Sequence, residues 1–309
     1  MQITVFTPTY NRSELLQRLY DSLCRQTMKN FEWLIVDDGS LDNTAEVIKK
    51  FQVENRSLPV EQQFPVRYLR KENGGKHTAI NVGVSQAECE LFFIVDSDDY
   101  LTDDAIEVLS GYYNEIRDDE SFAGVSGTRI TPLGETIIGE HDFSVIDCTN
   151  LEFATVYHFS GDMAEAYRTK VMKKYPFPEI AGERFCPESL VWLRIARDNY
   201  KVRYFNQGIY VCDYQSGGLT DNIIKIRRFS PILSMIYYSE HFHDKMALAL
   251  KFKAAVNYWR FCPLKSYKEV IKMKMLNILS ILSFPLGLFM RYRDGMAVSL
   301  CGKKKTYVN

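Results

Sequence analysis

The sequence lacks the marks of several common protein classes. It has no C-x-x-C pair: its seven cysteines (Cys24, Cys89, Cys148, Cys186, Cys212, Cys262 and Cys301) are scattered and odd in number. That argues against a zinc site or a disulfide framework and for a reducing compartment. It lacks an excess of charge, with a net −1 over 309 residues, so nothing draws it globally to nucleic acid. No basic stretch followed by an apolar one opens the chain, so no secretory signal is expected there. No G-x-G-x-x-G follows the first apolar segment, which leaves a dinucleotide-binding oxidoreductase poorly supported. Gly75-Lys76 has the look of a phosphate loop, but that pattern needs Gly at position 70 and Ser or Thr at 77, where Arg and His stand.

What is present is a 46% hydrophobic chain, enough for one large domain or two smaller ones. Its most informative stretch is Asp96-Ser97-Asp98-Asp99, directly after the apolar run Leu91 to Val95. Such a run reads as a buried strand of a parallel sheet, and open α/β sheets bind ligands at the carboxyl ends of their strands. Gathered carboxylates repel one another; a hard cation such as Mg²⁺ or Mn²⁺, sharing oxygens with substrate phosphates, is one reason to gather them. An acidic helix start is the plainer alternative. The same strand–turn–helix rhythm occurs three times upstream. Strands at Gln2–Thr7, Phe31–Val36 and Val66–Leu69 run into Pro8–Arg12, Asp37–Ser40 and Asn73–His77, and helices follow over Arg12–Gln26, Asp42–Phe51 and Thr78–Gln86. Four such units predict an α/β fold with a doubly wound, mainly parallel sheet.

Thr7-Pro8-Thr9-Tyr10-Asn11-Arg12, Gln26-Thr27, Val36-Asp37-Asp38-Gly39-Ser40, Asn73-Gly74-Gly75-Lys76 and Asp96-Ser97-Asp98-Asp99 occur in this order, and together they resemble the family 2 glycosyltransferases. The likeness is strong to about residue 110, weaker to about 220, and then fades. It implies a GT-A fold: a nucleotide-sugar-binding half over 1–110 and an acceptor-binding and catalytic-base half over 111–221; beyond the likeness, 222–309 reads from its own residues as a helical C-terminal extension. It implies an inverting transfer of sugar from a nucleoside-diphosphate sugar to a saccharide or lipid-linked saccharide, in surface polysaccharide synthesis. It places Pro8, Tyr10, Arg12, Asp38, Lys76, Asp96 and Ser97 at the donor, with Tyr10 against the base and Asp38 on an imide N–H, which suits UDP. Asp98 would be the main ligand of a divalent metal, Mn²⁺ or Mg²⁺, and Asp99 a further ligand or support. Asp37 reads as structural, bonding local amides. Two readings from other classes are a catalytically silent nucleotide-sugar-binding subunit and a nucleotidyltransferase. The latter needs a glycine- and Arg/Lys-rich loop that Pro8–Arg12 does not supply.

An inverting transfer needs a carboxylate base. Glu188, at the expected start of a helix through Leu190, Leu193 and Ile195, is the first candidate; Glu183 and Asp162 are the others, with Asp162, Glu183 and His158 also placed in an acceptor or sugar pocket. The family's Glu-Asp pair is replaced here by Pro187-Glu188-Ser189. Strands are expected at 202–205 and 208–214, then a Gly217-Gly218 loop that closes over the diphosphate or merely turns. The last ninety residues read as helical. The uncharged run Leu276 to Met290 is fifteen residues long, is broken by Pro285 and Gly287, and falls short of the ~20 that span a bilayer. Lys272, Lys274, Arg291, Arg293 and Lys303–Lys305 flank it. That pattern fits a cytoplasmic protein with peripheral membrane contact through 272–305, or a buried helix with a basic tail.

Overall fold

The fold is described from a computed structural model covering residues 1–138, 143–212, 222–263 and 271–304, with side chains to 295. The chain divides into two compact units. One comprises Met1–Phe177 and Val191–Tyr214; the other comprises Pro178–Leu190 and Gln215–Asn309. Residues 178–190 thus group with the C-terminal helices.

The first unit is built on one mixed sheet. Four strands, β1 (Ile3–Thr9), β2 (Phe31–Asp37), β3 (Val66–Arg70) and β4 (Leu91–Ile94), pair in parallel in the order β3-β2-β1-β4. All residues of β1, β2 and β4 are buried, as expected for strands covered on both faces. Pro8 is tolerated in β1 because β4 no longer pairs there: the last β1–β4 partners are Phe6 and Ile94, so the missing N–H leaves no gap in that ladder. The connecting helices are α1 (Leu16–Arg25), α2 (Thr44–Arg56) and α3 (Lys76–Gln86), and α4 (Ala105–Ile116) follows the acidic turn. Helix α2 runs five residues past its expected end. Helix α3 begins at Lys76, two residues before its expected start, straight after Gly75 at φ +97°.

Beyond β4 the sheet continues with β8 (Met163–Arg168), antiparallel to it. Next comes β6 (Phe122–Ile130), antiparallel to β8, and then β9 (Lys201–Val211), parallel to β6. Short strands β5 (Tyr100–Leu101) and β7 (Val145–Cys148) pair with opposite ends of β9. The two strands expected at 202–205 and 208–214 are a single strand. Between Ser126↔Tyr204 and Thr128↔Gly208, β9 spends extra residues against β6, and the bulge brings Asn206 and Gln207 into solvent. That polar interruption is what reads as a break in the sequence. Asp213, Tyr214 and the Gly217-Gly218 loop lie outside the described residues. Three short helices, α5 (Asn150–Thr155), α6 (Thr169–Met172) and α7 (Ser189–Arg197), complete the elements before β9.

The second unit is helical: α8 (Ile223–Phe229), α9 (Pro231–His243), α10 (Leu248–Phe261) and a 27-residue helix α11 (Ile278–Lys304). Met235, Phe242, Ala254, Ala255, Tyr258, Trp259 and Met275 form its core. Among the described residues no helix is long and apolar enough to cross a membrane.

Helix α3 carries Lys76, and its seat on the sheet depends on Gly83. A Cβ there would lie 2.2 Å from the Phe6 ring, which itself stacks on Phe92. Gly83→Ala is expected to destabilise the chain by about 1–3 kcal/mol. Gly111→Ala in α4, where a Cβ meets nothing within 4 Å, is expected to stabilise it by about 0.5–1 kcal/mol. Urea unfolding of the two variants checks this; equal and small effects would contradict the packing.

Candidate active site

The C-terminal ends of β1, β2, β3, β4, β6 and β9 and the start of β8 share one edge of the sheet. The loops at that edge hold one another. Asn11, at φ +51°, a left-handed position that Asn tolerates, donates its backbone N–H to the Ser40 hydroxyl. Its side-chain carbonyl accepts the Leu41 N–H. This ties the loop after β1 to the loop after β2. Asp37 accepts the Ser40 N–H and the Tyr68 hydroxyl, the local structural bonding expected of it.

Asp38 does more than face outward. Its carboxylate accepts the Gly74 N–H at 2.9 Å, the Gly75 N–H at 2.7 Å and the Lys71 ammonium at 2.7 Å. Lys71 also donates to Thr78 Oγ1. A carboxylate offers about four acceptor positions, so three are filled and one is left. Tyr10 stands at the rim with 42% of its surface exposed.

The acidic turn is neutralised by side chains from other elements. Lys76 Nζ lies 2.5 Å from Asp96 Oδ1, and Arg12 Nη1 lies 3.3 Å from Asp98 Oδ2. Arg18 donates to the Asp98 carbonyl and sits over the Tyr100 ring. Ser97 is buried. From β9, the Tyr210 hydroxyl accepts the Asp96 backbone N–H and donates to Asp99 Oδ2, each at 2.9 Å. Arg129 stacks over the Tyr210 ring at 4.4 Å and donates to the Met163 carbonyl at 2.7 Å. Burial alone would raise the Asp96 pKa, but Lys76 and Arg129 outweigh it and hold the carboxyl below its usual range. At Asp99 the balance runs the other way: burial, then the Asp96 charge, outweighs the Tyr210 hydrogen bond and the field of Arg129 and pushes it up to about 6.

The remaining candidates are dispersed. His158, at φ +59°, and Asp162, just before β8, are both exposed. Glu188 directly precedes α7 and is partly buried. Glu183 is committed elsewhere. It is 8% exposed, and its two oxygens accept the N–H groups of Ile232 and Leu233 at 2.8 Å each, while Ser230 accepts from the amides of Arg184 and Phe185. It caps the N-terminus of α9, where a carboxylate complements the helix dipole. Lys71, Arg129 and Tyr210 were missed in the sequence. Lys71 lies just before the Asn73–His77 loop and could have been noticed; the other two arrive from distant strands.

Among the described residues no three His, Cys, Asp or Glu side chains gather to hold a metal. What the site offers is Asp98, 32% exposed, beside an open edge. That fits an ion completed by substrate phosphates and waters, the usual manner for Mg²⁺, and not a cage made by protein alone.

The sheet order and these loops define a GT-A glycosyltransferase scaffold. The family model "Glycosyl transferase family 2" matches residues 4–143. The glycosyltransferase GlyG of Streptococcus pneumoniae is 34% identical over 234 residues, 70% of this chain and 72% of GlyG. The chain therefore belongs to the family 2 glycosyltransferases. Other curated relatives are longer: the chain spans 38% of S. pneumoniae GlyA and 15% of a Pasteurella multocida chondroitin synthase. Two solved structures share the fold. One is TarS 1–349 of S. aureus in complex with UDP-GlcNAc, with TM-score 0.60 and 19% identity, covering 96% of this chain and 92% of that one. The other is a Pyrobaculum calidifontis mannosyltransferase in complex with GDP-Man and Mn²⁺, with TM-score 0.56 and 15% identity, covering 94% and 84%.

The Asp99 shift gives a pH signature. An unfolded Asp titrates near 3.9. The folded state keeps a proton that the unfolded chain releases between about pH 4 and 6, so this group's contribution is fully present below about pH 4 and is lost as pH rises through about 6. In buffer with chelator, Asp99→Asn should match the wild-type melting temperature near pH 4 and exceed it by a few degrees above about pH 7. A difference that stays flat across that range would refute the shift.

Proposed function

We propose that the chain transfers a glycosyl group, with inversion, from a UDP-sugar to a saccharide or lipid-linked saccharide acceptor in surface polysaccharide assembly. The observation that carries this reading is the grouping, at one sheet edge, of an exposed aromatic, a carboxylate with one acceptor position left, and two cation–carboxylate pairs. Tyr10 offers its face to the nucleobase. Asp38 keeps its last lone pair for an imide N–H, which uracil has and adenine and cytosine lack. The TarS complex with UDP-GlcNAc supports a uridine donor. The mannosyltransferase complex with GDP-Man and Mn²⁺ supports a metal beside the diphosphate.

Asp98 would hold that metal, which when bound offsets charge on the leaving diphosphate. Lys76 and Arg12 are close enough to add positive charge at the same place once an anionic donor draws them from the carboxylates. Glu188 takes the proton of the acceptor hydroxyl. The freed oxygen bonds to the anomeric carbon from the side opposite the diphosphate, the carbon–oxygen bond to phosphate breaks, and UDP leaves. Asp162, exposed at the same sheet edge, contributes to the sugar pocket.

A donor panel tests the donor half: UDP-, GDP- and dTDP-sugars, each with and without Mn²⁺, scored by thermal shift and then by hydrolysis. UDP should compete better than CDP or ADP, and Asp98→Ala should remove the metal-dependent part of its affinity. Equal competition by all three nucleotides, or full affinity of Asp98→Ala, would overturn the assignment. Binding without hydrolysis or transfer for every donor would instead identify a silent subunit.

The base is tested separately. Glu188→Gln should lower kcat on the order of 10²–10⁴-fold with donor affinity unchanged. Glu183→Gln should instead lower stability by about 1–2 kcal/mol through the α9 cap, with kcat per folded molecule near normal. The reverse pattern would exchange the two roles.

A further inference from the structure

Helix α11 turns most of its polar and small residues inward. Leu279 and Phe284 border the core of its own unit, and between them the packed side is polar or small. Ser280 accepts the indole N–H of Trp259, Ser283 is fully buried, and Gly287 lies so close to Trp259 that a Cβ would meet that side chain at 2.5 Å. Asp294 forms a buried pair with Arg260 at 2.6 Å, and Arg291 donates to the Cys262 carbonyl. The side turned outward carries Ile278, Ile281, Leu282, Leu286, Phe289 and Tyr292. These recur at three- and four-residue steps, so they form one continuous stripe of about 22 Å along the helix. Leu282 is 67% and Phe289 62% exposed. Contiguous apolar surface of this kind marks an interaction site.

The charges around the stripe indicate what covers it. Lys272 and Lys274 are exposed just before the helix, Arg293 is 56% exposed at the far end of the stripe, and Lys303, Lys304 and Lys305 follow in the sequence. Within 276–290 there is no charge at all. A stripe with aromatic and aliphatic tips between two cationic ends fits a surface with an apolar interior and an anionic skin. The helix is too short on apolar residues to cross a membrane, and its other side is already occupied by protein. We propose that the outer face of α11 lies in the interface of an anionic lipid bilayer, with Leu282 and Phe289 inserted and Lys272, Lys274 and Arg293 on the headgroups. This inference is independent of the donor assignment, because its test reads binding and not turnover.

The test is co-sedimentation of the full chain with vesicles of phosphatidylcholine alone or with one quarter phosphatidylglycerol, at low and high salt. Wild type should pellet with the anionic vesicles and release at least tenfold in affinity when salt rises about tenfold. The double variant Leu282→Gln/Phe289→Gln should bind at least tenfold more weakly while melting within about two degrees of wild type, since both side chains are exposed. Lys272→Gln/Lys274→Gln/Arg293→Gln should bind the anionic vesicles more weakly and with a smaller salt dependence. Wild type that stays in the supernatant with anionic vesicles overturns the proposal. So does equal binding by the double variant. Light scattering that finds a wild-type oligomer dissolved by Leu282→Gln/Phe289→Gln, with no vesicle binding, assigns the face to a second copy instead. Should the double variant fail to fold, the lipid and salt arms on wild type still decide.

Discussion

The carboxylate of Asp38 is the point on which this edge of the sheet depends. It closes the end of β2 onto the loop after β3 through two backbone N–H groups and one ammonium. Charge-assisted bonds of this type are about twice as strong as neutral ones, and with the group buried their loss would leave unsatisfied atoms on both sides. The consequence runs forward along the chain. Fixing Gly74 and Gly75 fixes where α3 begins; Gly75 then takes its left-handed turn, and Lys76 emerges at the first position of the helix, aimed at Asp96. Gly83 lets that helix settle on the Phe6 ring. One carboxylate thus sets the reach of a lysine two loops away.

The acidic turn presents the complementary problem. Three carboxylates in four residues would drive one another's protons on. The fold answers differently for each. Asp96 receives Lys76 and the field of Arg129 and stays charged; Asp98 receives Arg12 and stays partly in solvent; Asp99 receives the hydroxyl of Tyr210 and the field of Arg129, but burial and the Asp96 charge outweigh them and it rises. Because Lys76 and Arg12, which face Asp96 and Asp98, come from α3 and from the loop after β1, the turn is held by the same loops that Asp38 and Asn11 tie together. An anionic ligand entering there would compete for those cations, and a divalent ion held by Asp98 would supply positive charge to the carboxylates in their place. Such an exchange would nearly conserve the charge at the edge and would leave no buried carboxylate uncompensated.

How far the sequence reading reached follows from which interactions are local. Strands β1 to β4 are apolar runs that end in polar turns, so both the parallel sheet and the positions of Tyr10, Asp38, Lys76, Asp96 and Asp98 at its edge could be read directly. Tyr210 could not: it is 114 residues from Asp96, and nothing near it indicates that β9 will lie beside β6 and reach the acidic turn. Arg129 is hidden for the same reason. Glu183 looked chemical because it is a carboxylate beside a glycine in a polar loop; only the placement of α9, some fifty residues on, gives it two amides to hold. The split of β9 into two strands came from reading Asn206 and Gln207 as a loop when they form a bulge.

The second unit shows where hydropathy patterns stop being informative. Counting apolar residues in 276–290 gives the same total whichever side of the helix packs inward. The packed side is chosen by particular pairs: Trp259 with Ser280, Gly287 against the α10 backbone, and Arg260 with Asp294. Removing one partner of a buried ion pair would leave the other uncompensated, so the pair resists any rotation of the helix that would bury Leu282 and Phe289 instead. In water such a rotation would gain apolar burial on the order of 1.5–3 kcal/mol for each large side chain. The observed arrangement forgoes that gain along the whole stripe. A helix whose own contacts hold its apolar side outward has its orientation fixed in advance of any partner, and so meets a surface without first reorganising.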